Sequence, residues 1–169
     1  MINSELATYG ERLDNLRKQV CDLLTGLPAE ALNWRPLEDR GERLTNSLAA
    51  LAVHIAGAEH FWIAEVIGGL PPTRDRDAEF AFQAQGDTEL CRLLEQTGAE
   101  THSILSKLNH TDLDQTREVK GRTIPVRWGI VHIIDHTALH LGHMQLTYQL
   151  WMGGKSASAP LWHERLPAS

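Results

Sequence analysis

Apolar residues recur along the chain at alternating steps of three and four, which is the period of an α-helix and not of a strand. The clearest run comes first and uses Leu6, Tyr9, Leu13, Leu16, Val20, Leu23 and Leu27. Gly26 and Pro28 mark the point where this run weakens and ends. The pattern predicts a first helix over residues 4–26.

Two further helical segments follow after polar connections. Ser47 can cap a second helix over residues 47–67, whose interior is rich in alanine and glycine. Asp87 can cap a third helix over residues 88–108, which has a weaker apolar pattern. The segment between these two helices contains prolines and charges, so it predicts a long connection without regular structure.

A fourth helix is predicted over residues 125–151, because Pro125 suits a first helical turn and two glycines follow the last apolar position. No run in the chain has the alternation of a strand. The sequence therefore predicts an all-α fold, a four-helix bundle with long crossover connections. We expect a single domain over residues 1–169, with a loosely packed tail over residues 152–169.

Composition narrows the class of protein. The 169 residues are 42% hydrophobic and carry a formal net charge of −6, and no basic cluster is present, so we expect no nucleic-acid partner. The most apolar stretch, residues 48–70, contains two histidines and two glutamates, so we expect no membrane span. The first residues lack the basic and apolar regions of a signal peptide, and we predict a cytoplasmic location.

The two cysteines, Cys21 and Cys91, lie far apart in the sequence, within predicted helices. Neither belongs to a CxxC pair, and so few thiols argue against a disulfide scaffold. We interpret both as buried packing residues of a protein in a reducing compartment.

Histidine is unusually frequent, with nine residues, and four of them lie in the fourth helix. His132, His136 and His140 are spaced by four, so each lies about 40° around the helix from the last, in a stripe beside the apolar seam. His132 and His140 are about 12 Å apart along the axis, too far to share one ion. The helix therefore offers one HxxxH pair, and any further ligand comes from another element.

The second helix supplies a third imidazole at His54. Its neighbours at three and four residues are small or aliphatic: Ala50, Leu51, Gly57 and Ala58. Such neighbours leave space for the ring to project toward an adjacent helix, and a neutral metal ligand is compatible with an apolar wall. His60 lies about 120° around the same helix, so we expect it to point elsewhere.

Several stretches resemble one known family. The segments 46–48 and 54–62 resemble the second helix of the DinB/YfiT-like family, and residues 132–145 look like the HxxxHxG signature of its last helix. Residues 33–36 and 74–80 are similar to connecting segments of that family. The resemblance extends over nearly the whole chain.

The resemblance implies a four-helix bundle that is often a homodimer. It also implies a divalent metal, zinc or nickel, held by one histidine of the second helix and two of the last. Carried to this sequence, the metal ligands are His54, His136 and His140.

The other polar residues near these positions have less definite roles. His132 matches a family position outside the ligand set, and we expect a structural or ligand-orienting role for it. His143 stands where the family usually has glutamine and Leu141 where it has arginine, so no role is carried over for either. Asp135 and Glu59 are acidic candidates for orienting a ligand, although exposed helix charges are commoner.

The remaining tryptophans and histidines receive structural interpretations. Four tryptophans are expected to be core or interface anchors: Trp34, Trp62, Trp128 and Trp151. Four histidines are expected to be ordinary surface or loop residues: His60, His102, His110 and His163. Thr137 follows His136 where a HExxH protease has its catalytic glutamate, so that chemistry is excluded.

Three neutral imidazoles leave the charge of a divalent ion uncompensated and at least one coordination position open, which suits activation of a thiol or water. The resemblance implies thiol chemistry, because characterised branches of the family are S-transferases and an isomerase that use mycothiol or bacillithiol. We therefore predict a metal-dependent enzyme acting on a small molecule with a low-molecular-weight thiol. A metallohydrolase with the same site, and a non-catalytic dimeric metal-binding or stress-related protein, remain alternatives.

Overall fold

The computed structural model describes residues 4–37 and 45–154, and four long helical segments form its body. These are α1 (Ser4–Leu24), α3 (Leu48–Glu59, continued by a π-helical segment, His60–Ile67), α5 (Asp87–Leu105) and α6 (Val126–Trp151). The predicted all-α bundle is confirmed. The part of the predicted tail from residue 155 onward lies outside the described residues.

The long helices are not arranged in simple sequence order. Both α1 and α3 pack against α5 and α6, so α1 and α3 lie on opposite sides of the bundle. The connections that follow α1 and α5 therefore cross the bundle, whereas the connection between α3 and α5 joins neighbours.

Within the part of the chain that the structure describes, three short helices occupy the connections: α2 (Ala29–Asn33), α4 (Arg76–Ala81) and a 3-10 segment (His110–Asp114). α4 lies within the segment for which we predicted no regular structure, and Asp75 caps it by accepting a hydrogen bond from the Ala78 amide at 3.0 Å. Both α2 and α4 pack against α3. Through α4, part of the long connection between α3 and α5 therefore packs against α3.

The expectation that the chain has no strand was wrong. β1 (Thr116–Val119) and β2 (Arg122–Pro125) pair antiparallel, and both residues of the turn between them, Lys120 and Gly121, have positive φ angles of 49° and 74°. All eight residues of β1 and β2 are exposed or half-buried, so no apolar alternation marks the strands in the sequence.

The helix caps agree with the sequence at one position and differ at another. Ser47 Oγ accepts a hydrogen bond from the Ala50 amide at 3.2 Å, as predicted for the start of α3. Asp87 is not the cap of α5, since Gly86 holds that position. The Asp87 side chain instead accepts a hydrogen bond from the Gly26 amide at 2.6 Å, which ties the start of α5 to the end of α1.

Two apolar clusters fill the bundle, and a layer of polar side chains lies between them along the helices. One cluster includes Leu16, Val20, Leu48, Ile55, Leu94 and Met144. The other includes Leu13, Ile63, Ile104, Leu113, Ile130 and Ile133. The polar layer contains Arg17, Glu59, Thr101 and Thr137, all of them buried.

Glu59 is the centre of this polar layer and is 0% exposed. The Arg17 guanidinium donates to its carboxylate, and Thr101 Oγ1 donates to the same oxygen at 2.6 Å. Burial raises the pKa of Glu59, and the Arg17 charge opposes that rise. A Cβ at Gly98 would lie 2.8 Å from Arg17 Nε, so glycine there makes room for the buried guanidinium.

Our interpretation of the cysteines as unpaired packing residues was wrong. Cys21 on α1 and Cys91 on α5 form a disulfide, with their Cα atoms 5.3 Å apart. The two residues are far apart in the sequence but adjacent in the bundle because α1 packs against α5. The bond also removes the cysteine argument for a reducing compartment.

Among the described residues one helical stretch, Leu48–Ile67, is long and apolar enough to meet the criteria for a membrane span. Its best window has a mean hydropathy of 1.3, and 61% of that window is buried inside the protein. The stretch contributes buried residues to both apolar clusters, so its hydropathy is that of a core helix.

Candidate metal centre

The structure brings together the three histidines that the sequence and the family resemblance selected. One ring nitrogen each from His54, His136 and His140 lies within 4.8 Å of the other two. The Nε2 atoms of His54 and His136 are 3.2 Å apart, and the ring centroids of His136 and His140 are 4.4 Å apart. Two neighbouring helices, α3 and α6, therefore direct imidazoles to one point.

The three rings differ in burial. His54 is 5% exposed on α3, whereas His136 and His140 on α6 are half-buried. The cluster is therefore anchored in the protein on the α3 side and accessible from the α6 side.

All three imidazoles are held in the neutral form. Burial, together with the nearby imidazoles, lowers the pKa of His136 to about 3 and that of His140 to about 4. Burial also lowers the pKa of His54, against the opposing effect of Glu79. Each ring therefore keeps an unprotonated nitrogen at neutral pH, which is the form that binds a metal ion.

His54 has an acidic partner that the sequence analysis did not find. Its Nδ1 lies 2.8 Å from Glu79 Oε2, and Arg74 donates to both oxygens of that carboxylate, at 2.6 Å from Nε and 2.9 Å from Nη2. Burial raises the pKa of Glu79, but the hydrogen bonds from Arg74 and His54 outweigh it, and the net pKa is lowered. Glu79 is therefore a carboxylate that accepts from both partners.

Gly57 has a more specific role than the one expected from its small size. A Cβ at this position would lie 2.1 Å from Glu79 Oε1. The missing side chain therefore admits the Glu79 carboxylate to the α3 surface, one turn from His54. We had expected the small neighbours to give space to the His54 ring itself.

Aromatic rings border the cluster on two sides. The centroids of the Phe80 and His54 rings are 4.6 Å apart. The Arg76 guanidinium lies over the Phe80 ring, 4.8 Å from its centroid. On the α6 side, His132 stacks on Trp128 with centroids 4.8 Å apart and also contacts Trp62 at 5.1 Å. An approaching molecule meets both apolar rings and a cation.

The other histidines of α6 stand outside the cluster. His132 lies in the aromatic contact with Trp128, and its ring centroid is 6.0 Å from that of His136. His143 is exposed, and its Nδ1 lies 3.4 Å from His140 Nδ1. The structural role expected for His132 agrees with this placement, and the contact between His143 and His140 was not expected from the sequence analysis.

Neither acidic candidate from the sequence contacts His54. Asp135 is exposed on α6, and Glu59 bonds Arg17 and Thr101 in the polar layer. The residue that does contact His54 is Glu79. Its only signal in the sequence was its place in residues 74–80, the segment that resembles a connecting segment of the DinB/YfiT-like family.

The remaining interpreted residues have mixed outcomes. His102 and His110 are exposed, whereas His60 is half-buried and bonds two residues, Glu100 at 2.6 Å and Thr73 at 3.0 Å. Trp128 is 48% exposed and Trp151 36%, so neither is a core anchor, whereas Trp34 and Trp62 are half-buried. His163 lies outside the described residues.

The low pKa values predict how the stability of the metal-free protein depends on pH. Below about pH 6.5 the unfolded chain binds protons at these histidines and the folded chain does not, so the free energy of unfolding falls as pH falls. From pH 7 to pH 5 a pKa lowered from 6.5 to about 3 corresponds to about 2 kcal/mol, and because His136 is only half-buried, solvent screening reduces the expected loss to about 1 kcal/mol. Urea unfolding with a chelator should show a flatter pH dependence for His136→Asn than for wild type. If the free energy of unfolding depended on pH equally in wild type and His136→Asn, the prediction would be contradicted.

A family model described as mycothiol-S-transferase matches residues 9–151 of the chain. The chain belongs to this family. The resemblance to DinB/YfiT-like proteins is thereby confirmed, and the matched region includes all three clustered histidines.

Two solved structures and one further protein are similar to this chain. A conserved protein from Enterococcus faecalis superimposes with a TM-score of 0.69 at 19% identity, covering 90% of this chain and 99% of that one. A DinB-like protein from Bacillus cereus gives a TM-score of 0.68 at 17% identity, covering 92% and 95%. The uncharacterized protein YkkA of Bacillus subtilis is 26% identical over 118 residues, 63% of this chain and 67% of YkkA.

The donor set fits a divalent metal. Three neutral imidazole nitrogens converge from two helices, and His54 meets a carboxylate through its other nitrogen, which is the arrangement common to metal-bound histidines. Imidazole is a good ligand for both zinc and nickel. The cluster can therefore hold one such ion.

Proposed function

We propose that the protein is a metal-dependent thiol S-transferase in which His54, His136 and His140 hold a divalent ion, zinc or nickel. The single observation that supports the site is the convergence of three neutral imidazoles within 4.8 Å. The family match supports the thiol chemistry. We keep a cytoplasmic location as a proposal, which the Cys21–Cys91 disulfide opposes because disulfides are rare in that compartment.

Each histidine contributes a neutral donor, so the chain adds no negative charge to the site through its ligands. When bound, a divalent ion held by three neutral ligands keeps its full charge, which lowers the pKa of a thiol beside it. The buried His54 fixes the inner side of the cluster, while the half-buried His136 and His140 leave the outer side accessible to a small molecule.

The proposed reaction joins a low-molecular-weight thiol to an electrophilic carbon. The thiolate sulfur forms a bond to that carbon, and the bond from the carbon to its leaving group breaks with both electrons going to the leaving group. The thiol proton passes to solvent. The aromatic border of Phe80, Trp62 and Trp128 supplies apolar surface against which the electrophile can pack.

Homodimer formation is part of this proposal. Its support is a set of exposed apolar side chains at helical spacing along α6: Trp128, Val131, Leu139, Leu146 and Leu150. A second copy of the chain would cover this face, which also lies next to the accessible side of the histidine cluster.

Metal binding is the first test. Protein purified without added metal and then loaded with Zn²⁺ or Ni²⁺ should bind one ion per chain. His54→Ala, His136→Ala and His140→Ala should each weaken binding by more than about 100-fold, since a lost ligand costs at least as much as a lost outer partner. His102→Ala, which removes an exposed histidine from α5, is the matched control and should bind like wild type. Equal metal content in all of these proteins would overturn the site.

Turnover is the second measurement. Conjugation of an activated aryl halide should require both the thiol and the metal, and should fall in His140→Ala but not in His102→Ala. Mycothiol, bacillithiol and simple thiols can be compared directly. Turnover of an ester or amide without any thiol would favour the metallohydrolase alternative, and metal binding with no turnover of any substrate would favour a non-catalytic protein.

A further inference from the structure

We propose that Glu79, held by Arg74, is the positioning residue of the metal centre: it fixes which nitrogen of His54 carries the proton and directs the other nitrogen to the ion. The inference rests on the proposed function, because it gives the histidine cluster a fourth functional residue. It also assigns the connection between α3 and α5 a role in the site.

The hydrogen bond between Glu79 and His54 determines the tautomer. A neutral imidazole has one N–H donor and one acceptor nitrogen, and a carboxylate can only accept. Since Glu79 Oε2 lies 2.8 Å from Nδ1, the proton is on Nδ1 and the lone pair is on Nε2. Nε2 is the atom that lies 3.2 Å from His136 Nε2, so the lone pair is presented to the cluster.

Arg74 restrains the carboxylate in this position. Its Nε and Nη2 donate to the two oxygens of Glu79 at 2.6 and 2.9 Å, a paired geometry that fixes the plane of the carboxylate. The same Nη2 lies 3.3 Å from His54 Nδ1, and because both are donors they share Glu79 Oε2 instead of bonding each other. Glu79 is 5% exposed, so its charge needs this cation.

The segment that carries Arg74 is itself fastened to the bundle. Glu65 Oε1 accepts hydrogen bonds from the backbone amides of Thr73 at 2.6 Å and Arg74 at 2.9 Å. His60 bonds the Thr73 hydroxyl at 3.0 Å through Nε2 and Glu100 at 2.6 Å through Nδ1. A continuous series of hydrogen bonds thus extends from α5 to the buried ligand of the cluster.

This series of hydrogen bonds explains the presence of two residues of the second helix that do not bind the metal, Gly57 and His60. Gly57 is required because any Cβ there would displace Glu79, at 2.1 Å from Oε1. His60, on the second helix but outside the cluster, holds the segment on which Arg74 lies. Both residues serve the position of the carboxylate.

The test compares two truncations in the same segment. Glu79→Ala should weaken Zn²⁺ binding by about 10–100-fold, measured by competition with a chromophoric chelator, because outer partners of metal-bound histidines contribute about that much. Glu79→Gln, whose amide oxygen can still accept from Nδ1, should lie between Glu79→Ala and wild type. Asp77→Ala truncates an exposed acidic side chain of α4, the helix that carries Glu79, and should leave Zn²⁺ affinity unchanged.

The tautomer of His54 provides a readout that does not depend on metal. Nitrogen chemical shifts of the metal-free protein should show the proton on Nδ1 in wild type and Asp77→Ala, and a shift toward Nε2 in Glu79→Ala. Wild-type Zn²⁺ affinity in Glu79→Ala, equal loss in Asp77→Ala, or an unchanged tautomer would each overturn the positioning role. Absence of metal binding by wild type would overturn the proposed function instead, and the nitrogen shifts would still decide whether Glu79 orients His54.

Discussion

Replacing Arg17 by methionine should destabilise the folded protein by about 3–5 kcal/mol, because it leaves the Glu59 carboxylate buried without its cation. The guanidinium bonds Glu59 between the two apolar clusters, where the Glu59 side chain is 0% exposed. Methionine is flexible and fills much of the same space, so the main loss is electrostatic and not a cavity. Urea unfolding followed by circular dichroism gives the free energy of unfolding.

The pH dependence of this loss identifies its cause. Burial already raises the pKa of Glu59, and without Arg17 the pKa rises further, so lowering the pH protonates the carboxyl and removes the unpaired charge. The penalty should therefore be larger at pH 8 than at pH 5. The double variant Arg17→Met and Glu59→Met should recover most of the loss, since two packed apolar residues can replace a buried pair.

A surface pair on the same helix serves as the control. Lys18 lies 2.6 Å from Asp22, and both side chains are mostly exposed, so Lys18→Met should change the free energy of unfolding by less than about 1 kcal/mol. An Arg17→Met protein as stable as the Lys18→Met protein at pH 8 would show that the buried pair contributes nothing.

The helices could be predicted because their apolar stripes are long and regular. The first run, with its steps of three and four, gave a helix over 4–26, and the observed α1 spans Ser4–Leu24. The second helix was harder to describe, because from His60 to Ile67 it becomes π-helical. A π-helical turn shifts the following side chains around the axis, and this stretch is apolar on most sides, so no periodicity reveals the shift.

The three clustered histidines could be selected for two different reasons. His136 and His140 follow from helix geometry alone, because residues four apart share a face. His54 required either its small-residue surroundings or the family resemblance, since nothing in one sequence states which helices are neighbours. The structure brings all three within one cluster.

Glu79 and the disulfide were missed for a shared physical reason. Glu79 is 25 residues from His54 and acts across the α3–α4 contact, and Cys21 and Cys91 meet across the α1–α5 contact. Such pairs depend on tertiary packing and leave no local periodicity. Gly57 was the one local sign of this contact, because alanine is more favourable than glycine inside a helix and a glycine there indicates that another group packs closely against α3.

Removing the disulfide should destabilise the protein by about 4 kcal/mol, because a cross-link that closes a loop of this size restricts the unfolded chain by about that amount. Cys21 and Cys91 are 70 residues apart in the sequence, so the loop is long, and the bond joins α1 to α5. The effect lies mainly in the unfolded state, so the reduced chain should unfold to a more expanded ensemble and give a steeper dependence on urea.

The double variant Cys21→Ser and Cys91→Ser is the test, compared with oxidised wild type by urea unfolding. Reductant should bring wild type close to the double variant and should leave the double variant unchanged, which separates loss of the bond from other effects of the reductant. Detection of two free thiols in unreduced wild type by mass spectrometry, or a loss below about 1 kcal/mol, would contradict the prediction. Because both cysteines are only half-buried, a small thiol can reach them, so assays with thiol substrates need the double variant to separate turnover from reduction of the protein itself.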